Sequence, residues 1–294
     1  MFSISIKKYL FILIFFFSLL SYKLLSSEYI QHQGGREENR LTILSWNIKM
    51  FPPPYGWLHN RFKRSENIIE ALKNSERYDI ILFQESFSVS IRKKIFNALK
   101  DVYPNQIILN DKTKIYKSNS GLWAISSIPI TLIDKINFTE LRHTDRLSSK
   151  GAHLYSVIKN QQEFHIINTH MQADYNTQYS DVRTQQYTEI KEKLLIPFEV
   201  SEIPFILCGD LNISKLSKLN MMLETLNFMN GPLLGKLQYS SLNNNHELLD
   251  YILVKKNKFK LSTIERRIQD MSVYLKIDSN QFSDHYPVEG VIKW

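Results

Sequence analysis

Short apolar runs that each meet a lone polar residue at one end recur along this chain, and no other feature restricts its fold as much. Residues 41–47 alternate like a half-buried strand and stop at Asn47. Residues 79–85 read as a buried strand ending at Glu85, residues 164–170 as one ending at His170, and residues 204–210 as one ending at Asp210. Towards the C-terminus, residues 249–254 and 286–292 read as strands opened by Asp250 and by the pair Asp284 and His285. Residues 121–126 and 152–158 are further strand candidates. Between them, Phe62, Ile68, Ile69 and Leu72 fall at helical spacing and predict a helix over residues 61–74; residues 91–99, 182–195 and 216–226 predict three more. Many β runs mixed with helices predict two packed sheets with helices outside, in a single domain. In antiparallel neighbours the end of one strand lies beside the start of the next, so these polar residues converge on one rim.

The rim set is Asn47, Glu85, His170, Asp210, Asn212, Asp250, Asp284 and His285. Oxygen donors dominate it, thiols are absent and imidazoles are few, which suits Mg²⁺ or Mn²⁺ rather than Zn²⁺. The two histidines add groups that move protons near neutral pH. A hard cation, carboxylates and a base together predict a hydrolytic site for phosphate esters. Asp210 and Asn212 stand two apart and share a side if the chain there is extended.

The N-terminus reads separately. Lys7 and Lys8 precede an apolar run over residues 9–20, followed by small and polar residues to Ser27. This is the layout of a secretory signal peptide over residues 1–27, with an uncleaved anchor as the alternative. The run is shorter than the ~20 apolar residues of a spanning helix. Residues 28–40 read as a polar leader and residues 41–294 as the catalytic domain. The formal charge of +8 includes three lysines of the signal, so about +5 stays with the exported chain. Such a surplus suits phosphates, whether of nucleic acid or of a membrane surface. With Cys208 as the single cysteine, no intramolecular disulfide forms. A hydrophobic content of 43% with 9 Gly and 9 Pro excludes a disordered chain.

Six segments in order carry a resemblance: Ser45-Trp46-Asn47-Ile48, Phe83-Gln84-Glu85-Ser86, Asn168-Thr169-His170-Met171-Gln172-Ala173, Cys208-Gly209-Asp210-Leu211-Asn212, Leu249-Asp250-Tyr251-Ile252 and Ser283-Asp284-His285-Tyr286-Pro287-Val288. They resemble the motifs of the endonuclease/exonuclease/phosphatase superfamily. The segment Ser149-Lys150-Gly151-Ala152, the run Val182-Arg183-Thr184-Gln185-Gln186 and Tyr103-Pro104-Asn105-Gln106 are similar to its bacterial sphingomyelinase C branch. The resemblance implies a DNase I-like, four-layer α/β/β/α sandwich of two packed mixed β-sheets flanked by helices. It implies that Glu85, with Asn47 and Asp284, holds Mg²⁺, for which Mn²⁺ or Co²⁺ substitute. His285 is then the general base and Asp250 orients its ring. Asp210 and Asn212 orient the water, His170 donates to a phosphate oxygen, and Lys150 touches the substrate phosphate.

The substrate implied is sphingomyelin in a phospholipid membrane surface, cleaved by a monomeric enzyme to ceramide and phosphocholine. Tyr55 and Trp57 in the aromatic stretch 51–57, and Tyr274 and Phe282 just before Asp284, are the expected membrane contacts. The alternative is a secreted DNase I-like endonuclease acting on nucleic acid, or another phosphoesterase of the same fold. Against it, Lys and Arg are scattered, with no dense basic stripe interleaved with aromatics.

Overall fold

A computed structural model describes residues 39–52, 59–108, 117–175, 178–200, 202–243, 245–256, 259, 261 and 263–294. The expected signal peptide, most of the polar leader, and Tyr55 and Trp57 lie outside the described residues. The strands are β1 (Arg40–Asn47), β2 (Ile80–Gln84), β3 (Asn105–Gln106), β4 (Trp123–Ser126), β5 (Ile130–Asn137), β6 (Gly151–Lys159), β7 (Gln162–His170), β8 (Phe205–Asp210), β9 (Phe228–Asn230), β10 (Leu233–Leu234), β11 (Asp250–Lys255), β12 (Thr263–Ile268) and β13 (Val288–Lys293). The helices are α1 (Arg61–Asn74), α2 (Val89–Leu99), α3 (Ser180–Ile190), α4 (Leu216–Leu226) and the single turn α5 (Ser272–Leu275).

Among the described residues these strands form two mixed sheets, ordered β10-β12-β13-β1-β2-β4-β3 and β5-β6-β7-β8-β11-β9. Each has a parallel pair near its middle, β1 with β2 and β7 with β8, bordered by antiparallel neighbours. The fold class is the expected one.

What positions the site is a gradient along the inward faces. Alternate residues of a strand share a face, and those facing the other sheet are Leu41, Ile43, Ser45 and Asn47 on β1, and Ile80, Leu82 and Gln84 on β2. On β7 they are Phe164, Ile166, Asn168 and His170; on β8, Ile206, Cys208 and Asp210. β11 runs the other way and reads Val254, Ile252, Asp250. Every series changes from apolar to polar at the same end. The apolar ends make the core between the sheets. The polar ends bond across it: Gln84 Nε2 donates to Ser45 Oγ at 3.1 Å and to Asn168 Oδ1 at 2.8 Å. Burying such groups is tolerated because they satisfy one another.

The outward faces are covered by helices. Leu44, Trp46, Ile81 and Phe83 pack with Ile68 and Leu72 of α1 and with Ile91 and Ile95 of α2. Leu154, Ile167, Leu207 and Leu253 pack with Tyr187 and Ile190 of α3 and with Leu219 and Met222 of α4.

The predicted helix over 182–195 is α3 followed by a π-helical turn at Lys191–Leu195. Phe62, expected on the core face of α1, is 51% exposed, and Arg61 and Arg64 are buried instead. Strands β5 and β12 were not anticipated. β5 lies at a sheet edge with mostly half-exposed residues, and β12 is charged at Glu265, Arg266 and Arg267. Neither shows the apolar run of a central strand.

Candidate active site

Strand register does most of the assembly. His170 on β7 pairs with Asp210 on β8, and Asp210 pairs with Asp250 on β11, so the three end in one row. Across the sandwich, Asn47 pairs with Gln84 at the ends of β1 and β2. Glu85 follows with φ 50°, a left-handed conformation that is uncommon outside glycine and asparagine. Continued extension would aim it away from Gln84 and towards the helices; the turn brings its Oε1 to 4.0 Å from His170 Nε2 instead. Asn47 closes the two halves, its Nδ2 donating to Asp210 Oδ2 at 3.0 Å.

His285 reaches this row from the segment before β13. Its Nδ1 is 2.7 Å from Asp250 Oδ2, and its Nε2 is 3.9 Å from Asp210 Oδ2. The segment is anchored at each residue: Asn67 Nδ2 donates to Gln281 O at 3.0 Å, Arg64 Nη1 to Phe282 O at 2.9 Å, and Ser283 Oγ to Asn47 O at 2.6 Å. Lys49 Nζ meets Asp284 Oδ2 at 2.6 Å, and Trp46 Nε1 donates to His285 O at 2.9 Å. An open cavity of about 510 Å³ adjoins Asp284 and is lined by Lys49, Lys63, Asn67 and Ser283 among others.

The charges are strongly coupled. Burial works against a charged His285, but Asp250, with Asp210 and Asp284 beyond it, raises its pKa to about 10. Burial and Asp250 push Asp210 up to about 7, against the pull of His285. Glu85 is raised by burial and by the like charge of Asp284. Burial also works to raise Asp284, yet His285 and Lys49 outweigh it and hold its carboxyl below the usual range. His170 is pushed well down by burial and by the positive Lys150 and His285.

A stability prediction follows from His285. Its folded pKa lies above the ordinary value of about 6.5, so the folded state keeps a proton that the unfolded state releases. That contribution is whole below pH 6.5 and is lost as pH rises towards 10. In EDTA, the melting temperature should fall steadily between pH 7 and 9, and the His285→Gln variant should flatten the slope. A wild-type slope no steeper than the variant's would refute it.

Several expectations need correction. Lys150 is 3% exposed, and its ammonium is engaged by Asp145 Oδ2 at 2.8 Å, His170 Nε2 at 3.0 Å and Met171 O at 3.1 Å. It braces His170 and does not face a substrate. Because an ammonium only donates, His170 Nε2 accepts from it and is not placed to donate to a phosphate. Phe282 is 2% exposed in the core, 6.3 Å from Trp46, because its neighbours Gln281 and Ser283 are tied inward. Burial takes Phe282 away from a membrane surface, whereas Tyr274 is partly buried, packing against that core with part of its side chain left exposed. Asn212 is not extended: its φ is 52°, its amide donates to Asp210 Oδ1 at 3.1 Å, and its Nδ2 to Met171 O at 3.1 Å.

Two places on the rim suit a cation. Ligand atoms of Asp210, Asp250 and His285 lie within 4.8 Å of one another. A cation there would have to displace the His285 proton that Asp250 holds. Beyond burial, Asp284 raises Glu85 through like charge, and their side chains keep 28% and 19% exposure. Hard oxygen donors that repel one another at an accessible edge fit a divalent cation such as Mg²⁺. Sequence motifs contained every residue of the row, but Lys49, Arg64 and Asp145 carried no local signal; only Trp46 and Ser283 stand inside the quoted segments.

Fold and side chains together define a phosphoric diester hydrolase. The chain belongs to the Endonuclease/Exonuclease/phosphatase family, whose model matches residues 44–285. It is 30% identical to a Sphingomyelinase C of Listeria ivanovii over 295 residues, covering 84% of this chain and 85% of that one. It is 28% identical to a Sphingomyelinase C of Leptospira interrogans over 299 residues, covering 87% of this chain. The chain spans about half of that relative's length, 52%, but 90% of a Bacillus cereus Sphingomyelinase C that is 27% identical over 87% of this chain. Among solved structures, SmcL superposes with TM-score 0.70 at 22% identity over 87% of this chain and 99% of its own. A beta toxin mutant of Staphylococcus aureus with bound magnesium ions gives TM-score 0.70 at 21% identity, over 85% and 98%.

Proposed function

We propose that this chain is an exported, Mg²⁺-dependent phosphodiesterase that hydrolyses sphingomyelin to ceramide and phosphocholine. The observation that carries the chemistry is His285, pinned through Nδ1 to Asp250 with Nε2 turned to Asp210 on the rim that Glu85 shares. Sphingomyelinase C relatives, 27–30% identical over most of this chain, support the lipid as substrate.

When bound at Glu85 and Asp284, the cation supplies Lewis-acid polarisation of a phosphate oxygen and positive charge among the carboxylates. His285 holds a proton while the neighbouring carboxylates are uncompensated; positive charge placed among them would release it, and Nε2 would then take a proton from water while Nδ1–H stays on Asp250. The water oxygen bonds to phosphorus, the bond from phosphorus to the ceramide oxygen breaks, and that oxygen takes up a proton from solvent as His285 gives its own proton back to solvent. Asp210, steadied by Asn47 and the Asn212 amide, orients the water. Neutral His170, braced by Lys150, borders Asp210 and Glu85 and keeps the rim's negative charge from being neutralised by a second imidazolium. The membrane is approached through residues 51–57, with Tyr55 and Trp57 entering the headgroup layer.

The test is phosphocholine release from sphingomyelin liposomes by the chain without residues 1–27, in Mg²⁺ and in EDTA, beside a plasmid-nicking assay. Release in Mg²⁺ that stops in EDTA is expected. Nicking of plasmid with no phosphocholine released would overturn the lipid reading in favour of a nuclease.

A further inference from the structure

Arg64 lies on α1, in none of the segments that carry the rim chemistry, and is 7% exposed. Among the described residues, no carboxylate is bonded to it. Its guanidinium instead collects backbone carbonyls: Nε donates to His59 O at 2.8 Å, Nη1 to Ile48 O at 3.0 Å and to Phe282 O at 2.9 Å, and Nη2 to Lys49 O. Besides the nearby His59, these carbonyls come from two stretches far apart in sequence. Residues 48–50 follow Asn47; residues 281–285 carry Asp284 and His285. A planar fork with five donors in fixed directions holds both in a set geometry, which the three donors of a flexible lysine stem fix less tightly.

We propose that Arg64 is a positioning residue of the active site: its buried guanidinium clamps residues 281–285 to residues 48–50 and so sets how far His285 stands from the Asn47 and Glu85 side. The position suits the task. A buried cation without a paired anion is costly, and a protein that needed only packing at this point of α1 would place an aliphatic side chain beside Ile68. The compensation is at longer range, from Asp284 and Glu85, so the clamp and the two carboxylates support one another. Among the neighbouring stitches, Asn67 to Gln281 O holds one stretch alone, while Ser283 to Asn47 O and the part-exposed Lys49–Asp284 pair join the two by a single contact each. Arg64 bridges both stretches.

The inference rests on the proposed Mg²⁺-dependent hydrolysis for its kinetic readout but not for its structural one. The variants are Arg64→Lys and Arg64→Met, with Arg61→Met as a control. Arg61 is a second buried arginine of α1, bonded to Phe51 O and not to residues 281–285. Hydrogen exchange of the amides of residues 281–286 reads the clamp directly. Magnesium binding by calorimetry and kcat and KM on sphingomyelin liposomes read its effect.

Both Arg64 variants should speed exchange in 281–286 at least tenfold, weaken Mg²⁺ binding about tenfold and lower kcat more than they change KM. Arg61→Met should lower the melting temperature without those changes. Exchange in 281–286 unchanged in Arg64→Lys overturns the proposal, as does a lower melting temperature with Mg²⁺ binding and kcat intact. Tighter Mg²⁺ binding in Arg64→Met also overturns it, since removal of a repelling charge would then be the whole effect. If Arg64→Met does not fold, Arg64→Lys decides. A wild type that neither binds Mg²⁺ nor releases phosphocholine refutes the functional reading, and the exchange comparison still tests the clamp.

Discussion

Replacing His285 by Gln should lower kcat/KM for phosphocholine release by roughly 10³-fold, within the 10²–10⁴ that a positioned general base contributes. Gln keeps a donor for Asp250, which is 0% exposed and whose Oδ1 has no partner among the described residues. Folding should therefore survive, while Gln has no basic nitrogen to take the water's proton. Asp250→Asn should cost less. It leaves the ring in place but removes the charge that favours the imidazolium. The measurement is initial rate against substrate at saturating Mg²⁺, with circular dichroism to confirm the fold. Activity of His285→Gln within tenfold of wild type would remove His285 from the base role, and Asp210, raised to about 7, would be next to examine.

Gly209→Ala should be strongly destabilising. Gly209 sits in β8 with φ +137°, between Cys208 and Asp210, and pairs with Thr169 on β7 and Tyr251 on β11. A Cβ there would lie 1.9 Å from Thr169 O and 2.9 Å from Thr169 C, backbone atoms that no rotamer change moves. Overpacking of roughly 1–3 kcal/mol and backbone strain of roughly 1–3 kcal/mol add to about 3 kcal/mol or more. For a chain of this size that is a fall in melting temperature of roughly 6–12 °C. Because β7 and β8 would have to part, His170 and Asp210 would lose register, and activity should fall further than stability alone explains. Gly235→Ala is the control: its φ is +92°, but nothing lies within 4 Å of the added Cβ. Equal losses in the two variants would show that backbone conformation, not the contact with Thr169, sets the cost.

Much of the site was legible along the chain because strand ends have a local signature. The apolar runs before Asn47, Glu85, His170 and Asp210 are the inward and outward residues of β1, β2, β7 and β8 read together, and the polar residue marks where the buried stretch stops. Helices α1 and α4 fell on their predicted bounds for the same reason, since helical spacing of apolar residues is a local property. Strand β5, at a sheet edge, and β12, between β10 and β13, were not legible, because half-exposed strands need not be apolar. Phe282 misled because an aromatic residue beside a catalytic segment has the same local appearance whether it faces lipid or its own core.

The order of residue types along each strand, and with it the identity of the rim carboxylates and histidines, was determined by the sequence alone, through alternation and the points where it ends. Which of those groups touch was decided only by the tertiary structure. Asn47 and Asp210 are 163 residues apart, and Trp46 and His285 are 239 apart, yet each pair is hydrogen-bonded. Such contacts depend on strand order, on parallel or antiparallel register, and on the closing of one sheet over the other. None of these is encoded in the pattern of any one segment. The same holds for Arg64 and Lys150. A long charged side chain reads as solvated until packing surrounds it, and only then do its donors find the carbonyls, carboxylate and imidazole that give it a task.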